Sequence, residues 1–124
     1  MALISTHTLN GVDGTHAGGV TVTFTKIRDA GSRELLFDAV TDSGGRLLQH
    51  IDPLVIEPEA TYELAFSTGK YWSRQALGET EPQVADEIII RLRMRNVDAR
   101  YHVPLILSPH SCSVWVSTPE AGEQ

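Results

Sequence analysis

The sequence predicts an all-β fold, a β-sandwich of two sheets with one short helix. Three observations lead to this class. Several short segments alternate apolar and polar residues with the period of a strand, turn-forming residues separate them at regular intervals, and no long amphipathic helical pattern occurs. Short strands at this spacing are typical of a two-sheet β-sandwich.

The predicted strands follow one another along the whole chain. The opening strand alternates poorly, so its orientation cannot be read from its residues. The second alternates clearly, with Val20, Val22 and Phe24 set against threonines, and β-branched residues suit a pleated sheet. The predicted strands occupy residues 5–9, 20–25, 61–67, 88–95, 101–108 and 112–118.

Turn signals mark the connections and one segment departs from the strand pattern. Glycine, asparagine and aspartate cluster at 10–14, 18–19, 31–32, 42–45 and 52–53. Residues 71–84 lack alternation, and within them residues 72–77 before Gly78 indicate a short helix ended by glycine. We expect one domain over residues 1–118 and a flexible tail from Pro119 to Gln124.

Composition excludes several functional classes. The formal net charge of −6, from 16 acidic and 10 basic side chains, disfavours nucleic acid as a partner, because binding phosphates needs a concentrated positive surface. The single cysteine, Cys112, permits no intrachain disulfide. No signal peptide and no membrane-spanning apolar run are visible, so the sequence predicts a cytoplasmic protein without a membrane partner.

His102 is the most informative polar residue of the strand at 101–108. Alternation places Val103, Leu105 and Leu107 on a core face and His102 on the other face, beside Pro104 and Ile106. That second face is too apolar for open water, which indicates a pocket or contact with another subunit. His102 is either a structural residue with satisfied hydrogen bonds or a working acid/base, because its pKa lies near neutrality in both roles.

Two further side chains are candidates with equally plain structural alternatives. His7 follows Ser5 in the opening strand, where a histidine is often only an edge residue. Arg46 closes the turn Asp42 to Gly45, and most loop arginines are simply solvated. Judged by residue type alone, neither position establishes a site.

Short motifs follow one another along nearly the whole chain. They are Ser5-Thr6-His7, Gly19-Val20-Thr21-Val22, Gly44-Gly45-Arg46, Thr61-Tyr62-Glu63-Leu64, Thr68-Gly69, Glu87-Ile88-Ile89-Ile90 and Tyr101-His102-Val103-Pro104. In their order and spacing these motifs resemble the 5-hydroxyisourate hydrolase family of transthyretin-related enzymes. The resemblance implies a transthyretin-type sandwich assembled as a homotetramer, with active sites in a channel between subunits, and no cofactor is expected.

The resemblance also implies catalytic residues and a substrate class. His7, Arg46 and His102 correspond to the site of the family, whose substrate is a small oxidised purine, 5-hydroxyisourate. The ring of this compound opens when water attacks a carbonyl. One histidine can take the proton of the water, and the other histidine or Arg46 can stabilise the charge that develops on oxygen. No covalent nucleophile is needed.

The sequence departs from the family near its C-terminus. Where these enzymes have Tyr-Arg-Gly-Ser, this chain has Trp115-Val116-Ser117-Thr118. The aromatic ring and the last hydroxyl survive in kind, but Val116 stands in place of an arginine. We predict that Thr118, Val116 and His110 bind substrate, and we hypothesise that a valine favours an N-methylated hydroxyisourate, such as one derived from caffeine.

Alternatives to this hydrolase hypothesis stay open at the level of sequence. The five histidines show no ligand spacing typical of a metal site, so no metal is predicted. A non-catalytic binder of small molecules, like transthyretin, is the alternative that the missing arginine favours. A divergent scaffold for another ring-opening or condensation reaction is a third.

Overall fold

A computed structural model of the protein describes residues 1–75 and 84–121, the last two through their backbone alone. Two β-sheets pack face to face, which confirms the predicted sandwich. The first has the strand order β4-β1-β7-β8, with the short β9 also paired to β7, and the second has the order β3-β2-β5-β6. The elements are β1 Ala2–Asn10, β2 Thr21–Ile27, β3 Arg33–Val40, β4 Arg46–Ile51, β5 Thr61–Phe66, α1 Thr68–Arg74, β6 Ile88–Leu92, β7 Ala99–Ser108, β8 Ser111–Val114 and β9 Glu120–Ala121.

The opening strand lies in the middle of the first sheet. β1 pairs antiparallel with β4 and parallel with β7, so both of its edges are hydrogen-bonded. Its first five residues are buried on both faces, since Leu3 and Ser5 on the outer face are each only 3% exposed. This double burial explains why the strand shows little alternation in the sequence.

The core lies between the two sheets and follows the predicted alternation. Val103, Leu105 and Leu107 of β7 are at most 1% exposed. They face the second sheet, where Phe24 of β2 stacks on Tyr62 of β5 with ring centroids 5.5 Å apart. Each such side chain contributes about 1.5–3 kcal/mol by leaving water, so the core fixes which face of β7 is turned outward.

Element boundaries differ from the prediction where pairing partners run out. The strand predicted to reach residue 95 ends at Leu92, because its partner β5 begins at Thr61 and offers no pair beyond Tyr62. The helix begins earlier than predicted, at Thr68, and burial of Thr68 and Tyr71 explains its position. Its predicted end at Leu77 and Gly78 lies outside the described residues.

The C-terminal segment keeps its hydrogen bonds to β7 beyond β8. β8 ends at Val114, yet the backbone N–H groups of Trp115 and Ser117 still donate to β7 carbonyls, at 3.2 Å and 3.0 Å. Glu120 and Ala121 then pair with β7, inside the segment predicted as a flexible tail. No helix in the described part of the chain is long and apolar enough to cross a membrane.

Candidate active site

The outer face of the first sheet brings the three predicted catalytic residues together. In the strand register His7 of β1 lies directly opposite Arg46 of β4. On the other side of β1, His102 of β7 lies opposite Ser5, two residues before His7. Because residues two apart in a strand share a face, His7 and His102 project on the same side. Both imidazoles are half-buried.

An open cleft of about 240 Å³ lies on this face. Arg46 and His102 line it, whereas His7 lies beside it through its pairing with Arg46. The wall also contains one carboxylate, that of Asp42, and two leucines. Polar residues and leucines from β1, β4, β7 and the turn before β4 line the cleft: Ser5, Thr6, Asp42, Arg46, Leu47, Leu48, Arg100 and His102.

A tight turn before β4 positions Arg46. Asp42 accepts hydrogen bonds through Oδ1 from the backbone N–H groups of Gly44 and Arg46, both at 2.9 Å. Gly45 adopts a φ of +74°, which an L side chain rarely tolerates, and its carbonyl accepts from the Thr8 N–H at 2.7 Å. The turn is thereby tied to β1 one residue beyond His7.

The hydrogen bond of His7 fixes which of its nitrogens is basic. His7 Nε2 lies 3.0 Å from the carbonyl oxygen of Gly44, which can only accept, so Nε2 carries the proton and Nδ1 keeps its lone pair. Burial and the nearby Arg46 charge lower the pKa of His7 below its ordinary value, and His16 adds to this effect. His7 is therefore a neutral imidazole near pH 7, as a general base must be.

His102 is held by one serine of β1 and one serine of the C-terminal segment after β8. Its Nδ1 lies 2.8 Å from Ser5 Oγ, and Ser5 Oγ in turn accepts from Arg100 Nε at 3.2 Å. The backbone N–H of His102 donates to Ser117 Oγ at 3.2 Å. These contacts fix the position of the imidazole relative to Arg46 across the cleft.

The C-terminal residues predicted to bind substrate are placed by the same register. Ser117 is 7% exposed and lies beside His102, whose backbone N–H donates to its Oγ. The neighbouring Val116 and Thr118 are exposed, Val116 at 48%, and neither lines the cleft. Of the two C-terminal hydroxyls, the one in contact with His102 is that of Ser117, which the sequence did not single out.

His110 lies away from the cleft. It lines a separate cavity of about 130 Å³ together with Trp72 of α1 and Cys112 of β8. Burial raises the pKa of the Cys112 thiol, so the cysteine is not an activated nucleophile. No cluster of three or more potential metal ligands occurs among residues 1–75 and 84–121.

Sequence reasoning missed two polar partners of the site, Ser5 and Arg100. Both could have been found from alternation, because Ser5 is two residues before His7 and Arg100 is two residues before His102. The contact of His16 with His7 had no such signal, since it depends on how the loop after β1 folds back.

Comparison with known proteins identifies the family of this chain. The HIUase/Transthyretin family matches residues 4–116. The chain is 34% identical over 115 residues to the 5-hydroxyisourate hydrolase of Halalkalibacterium halodurans, which covers 90% of this chain and 94% of that protein.

Two solved structures share the fold over nearly their whole length. The 5-hydroxyisourate hydrolase of Klebsiella pneumoniae has a TM-score of 0.72 at 27% identity, covering 95% of this chain and 100% of that one. Sea bream transthyretin, solved in complex with thyroxine, has a TM-score of 0.74 at 25% identity, covering 97% and 98%. By family match, by sequence identity and by fold, this chain belongs to the HIUase/transthyretin family.

Proposed function

We propose that this protein is a hydrolase that opens the ring of 5-hydroxyisourate. The observation that carries the proposal is the grouping of His7, Arg46 and His102 on one face of the first sheet. The names of relatives from the same family support it. Its place of action is the cytoplasm, in keeping with the single cysteine.

In this mechanism His7 acts as the general base. Its Nδ1 removes a proton from water as the oxygen attacks a ring carbonyl of the substrate. A C–O bond forms and the carbonyl π electrons move to oxygen. When the carbonyl re-forms, the C–N bond of the ring breaks, the nitrogen takes up a proton, and the product is a carboxylate.

Arg46 and His102 stabilise the charge that develops on oxygen. A guanidinium offers a fixed cation with several N–H donors. Its position opposite His7 supports a role at the attacked carbonyl. His102, held through Nδ1 by Ser5, supplies the second polar contact and the proton for the leaving nitrogen.

The proposal includes a homotetramer in which the cleft faces another copy of the chain. Three apolar side chains on the outer face of the first sheet support this assembly, because they are half exposed or more: Leu48 at 50%, Ile106 at 47% and Trp115 at 61%. Within a single chain Thr118, Val116 and His110 lie off the cleft. Their proposed role in substrate binding therefore depends on the tetramer.

We further propose that the substrate is an N-methylated hydroxyisourate. Val116 supports this choice, because a valine offers apolar contact where an arginine would offer hydrogen-bond donors. Equal kcat/KM for methylated and unmethylated rings would contradict it.

A non-catalytic binding role is the second candidate. The similarity to sea bream transthyretin, which was solved with thyroxine, favours it. The basic nitrogen of His7 and the neighbouring Arg46 argue against it, because a carrier needs neither.

A coupled ultraviolet assay tests both candidates. Urate and trimethylurate are oxidised in situ, and the decay of each hydroxyisourate is followed with and without the protein. Accelerated decay supports the hydrolase, and loss of the acceleration in His7→Gln and Arg46→Met assigns it to this site. No acceleration of either compound would contradict the hydrolase and favour the binder.

A further inference from the structure

Arg100 is a second arginine of the cleft, on the strand that carries His102. It lies on β7 two residues before His102 and therefore on the same outer face, opposite Leu3 of β1. Its side chain is half-buried and lines the cleft together with Arg46. Arg46 reaches the cleft from β4, so the two guanidinium groups come from strands on opposite sides of β1.

The guanidinium of Arg100 is fixed at one end only. Its Nε donates to Ser5 Oγ at 3.2 Å, and within the described residues the Arg100 side chain makes no other hydrogen bond. No described carboxylate lies within ion-pair distance of it. The two Nη nitrogens thus remain as donors, although unpaired cationic donors in a half-buried position cost desolvation energy unless something accepts from them.

The charge of the cleft indicates what could accept these hydrogen bonds. Asp42 is the carboxylate among the cleft residues, and its Oδ1 is already occupied by the backbone N–H groups of Gly44 and Arg46. Arg46 and Arg100 together outweigh its charge. A cleft with two arginines and one engaged carboxylate suits a ligand that carries negative charge on oxygen.

We propose that Arg100 is a substrate-binding residue of the cleft, which holds Ser5 through Nε and offers its Nη pair to anionic oxygens of a planar oxidised purine. This inference rests on the proposed function for the identity of the ligand class. It makes Arg100 a contact to the substrate and the product carboxylate, while the proton transfers stay with the histidines.

The test measures binding separately from turnover. Urate, a stable planar purine anion, is titrated into wild type, Arg100→Met, Arg100→Lys and Arg95→Met, and heat of binding is recorded. Arg95 is exposed in the connection between β6 and β7 and serves as the matched control. We expect Arg100→Met to weaken urate binding at least about tenfold, the range of a charged hydrogen bond, with Arg100→Lys intermediate and Arg95→Met unchanged.

Turnover of the same variants separates this inference from the proposed function. If Arg100→Met raises KM at least about tenfold while kcat falls less, the binding role is supported. If Arg100→Met binds urate like wild type, or if wild type binds none, the inference is wrong whatever the turnover shows. If wild type binds urate through Arg100 but hydrolyses nothing, the proposed function fails and the role of Arg100 stands. Thermal unfolding and circular dichroism of Arg100→Lys show whether changes arise from misfolding.

Discussion

The imidazole rings of His7 and His16 meet edge to face, with their centroids 4.9 Å apart and their planes at 90°. His16 follows the loop after β1 and forms a bridge with Leu9, which brings the ring back over the strand. At this distance His16 disfavours a charge on His7 and so helps to lower the pKa of His7.

Replacement of His16 should raise the pKa of His7. His16→Phe keeps an aromatic ring against His7 and removes the charge that helps to lower its pKa. The His7 Cε1 proton, followed by NMR through a pH titration, reports this value directly. His110→Phe, in the separate cavity, is the control. A His7 titration that is unchanged or displaced to lower pH in His16→Phe would contradict the coupling.

The acid limb of kcat/KM should lie below the ordinary pKa of histidine. His7 must be neutral to act as a base, and burial together with Arg46 lowers its pKa, so activity is retained as the pH falls through the ordinary histidine pKa and is lost only when His7 takes up a proton. Arg46→Met should move the limb to higher pH as kcat falls. A limb above the ordinary histidine value in wild type would exclude His7 as the base.

The lowered pKa of His7 also makes the free energy of unfolding depend on pH. The unfolded chain binds a proton at His7 more readily than the folded chain, so unfolding becomes easier as the pH falls through the ordinary histidine pKa toward the lowered one. Urea titrations at several pH values, compared between wild type and His7→Gln, measure this contribution. Parallel pH dependences in the two proteins would show that His7 contributes nothing to it.

The strands that carry the site were predictable where one face is buried. Alternation at 101–107 correctly separated the core valine and leucines from His102. It failed for β1, because a central strand covered on both faces loses the pattern on which orientation depends. The orientation of His7 therefore became visible only through its register with Arg46 and Pro104.

The choice among neighbouring C-terminal residues was not predictable for a different reason. Counting along the sequence singled out Val116 and Thr118, but the hydrogen bonds of the C-terminal segment to β7 put Ser117 beside His102. Pairing across a sheet depends on the partner strand as well as on the local sequence. The roles of Val116 and Thr118 stay predictions that concern the assembled protein.

Removal of the Ser117 hydroxyl should impair activity more than removal of the Thr118 hydroxyl. Ser117 Oγ accepts from the His102 N–H, and loss of one such bond costs about 1 kcal/mol, which corresponds to roughly a fivefold fall in kcat/KM if it is felt at the catalytic step. Thr118→Val is the matched variant at an exposed position. A larger effect of Thr118→Val would assign the working hydroxyl to the residue that the sequence singled out.

Gly45→Ala should destabilise the protein far more than Gly14→Ala. Both glycines have positive φ, +74° and +78°, so backbone strain of about 1 kcal/mol is common to the two variants. A Cβ at Gly45 would also lie 2.2 Å from the Thr8 carbonyl oxygen, whereas one at Gly14 meets nothing within 4 Å. We expect Gly45→Ala to cost about 2–4 kcal/mol in urea unfolding. Equal midpoints for the two variants would refute this.

The parallel pairing of β1 with β7 has a consequence for folding of the chain during its synthesis on the ribosome. Ser5 and His102 are 97 positions apart yet touch, so nothing resembling a working centre can exist until most of the chain has been made. Bringing such remote segments together is slow compared with local helix formation. The edge of β1 that pairs with β7 stays unpaired until β7 leaves the ribosome. An unpaired strand edge favours aggregation, so the protein is most prone to aggregate during synthesis.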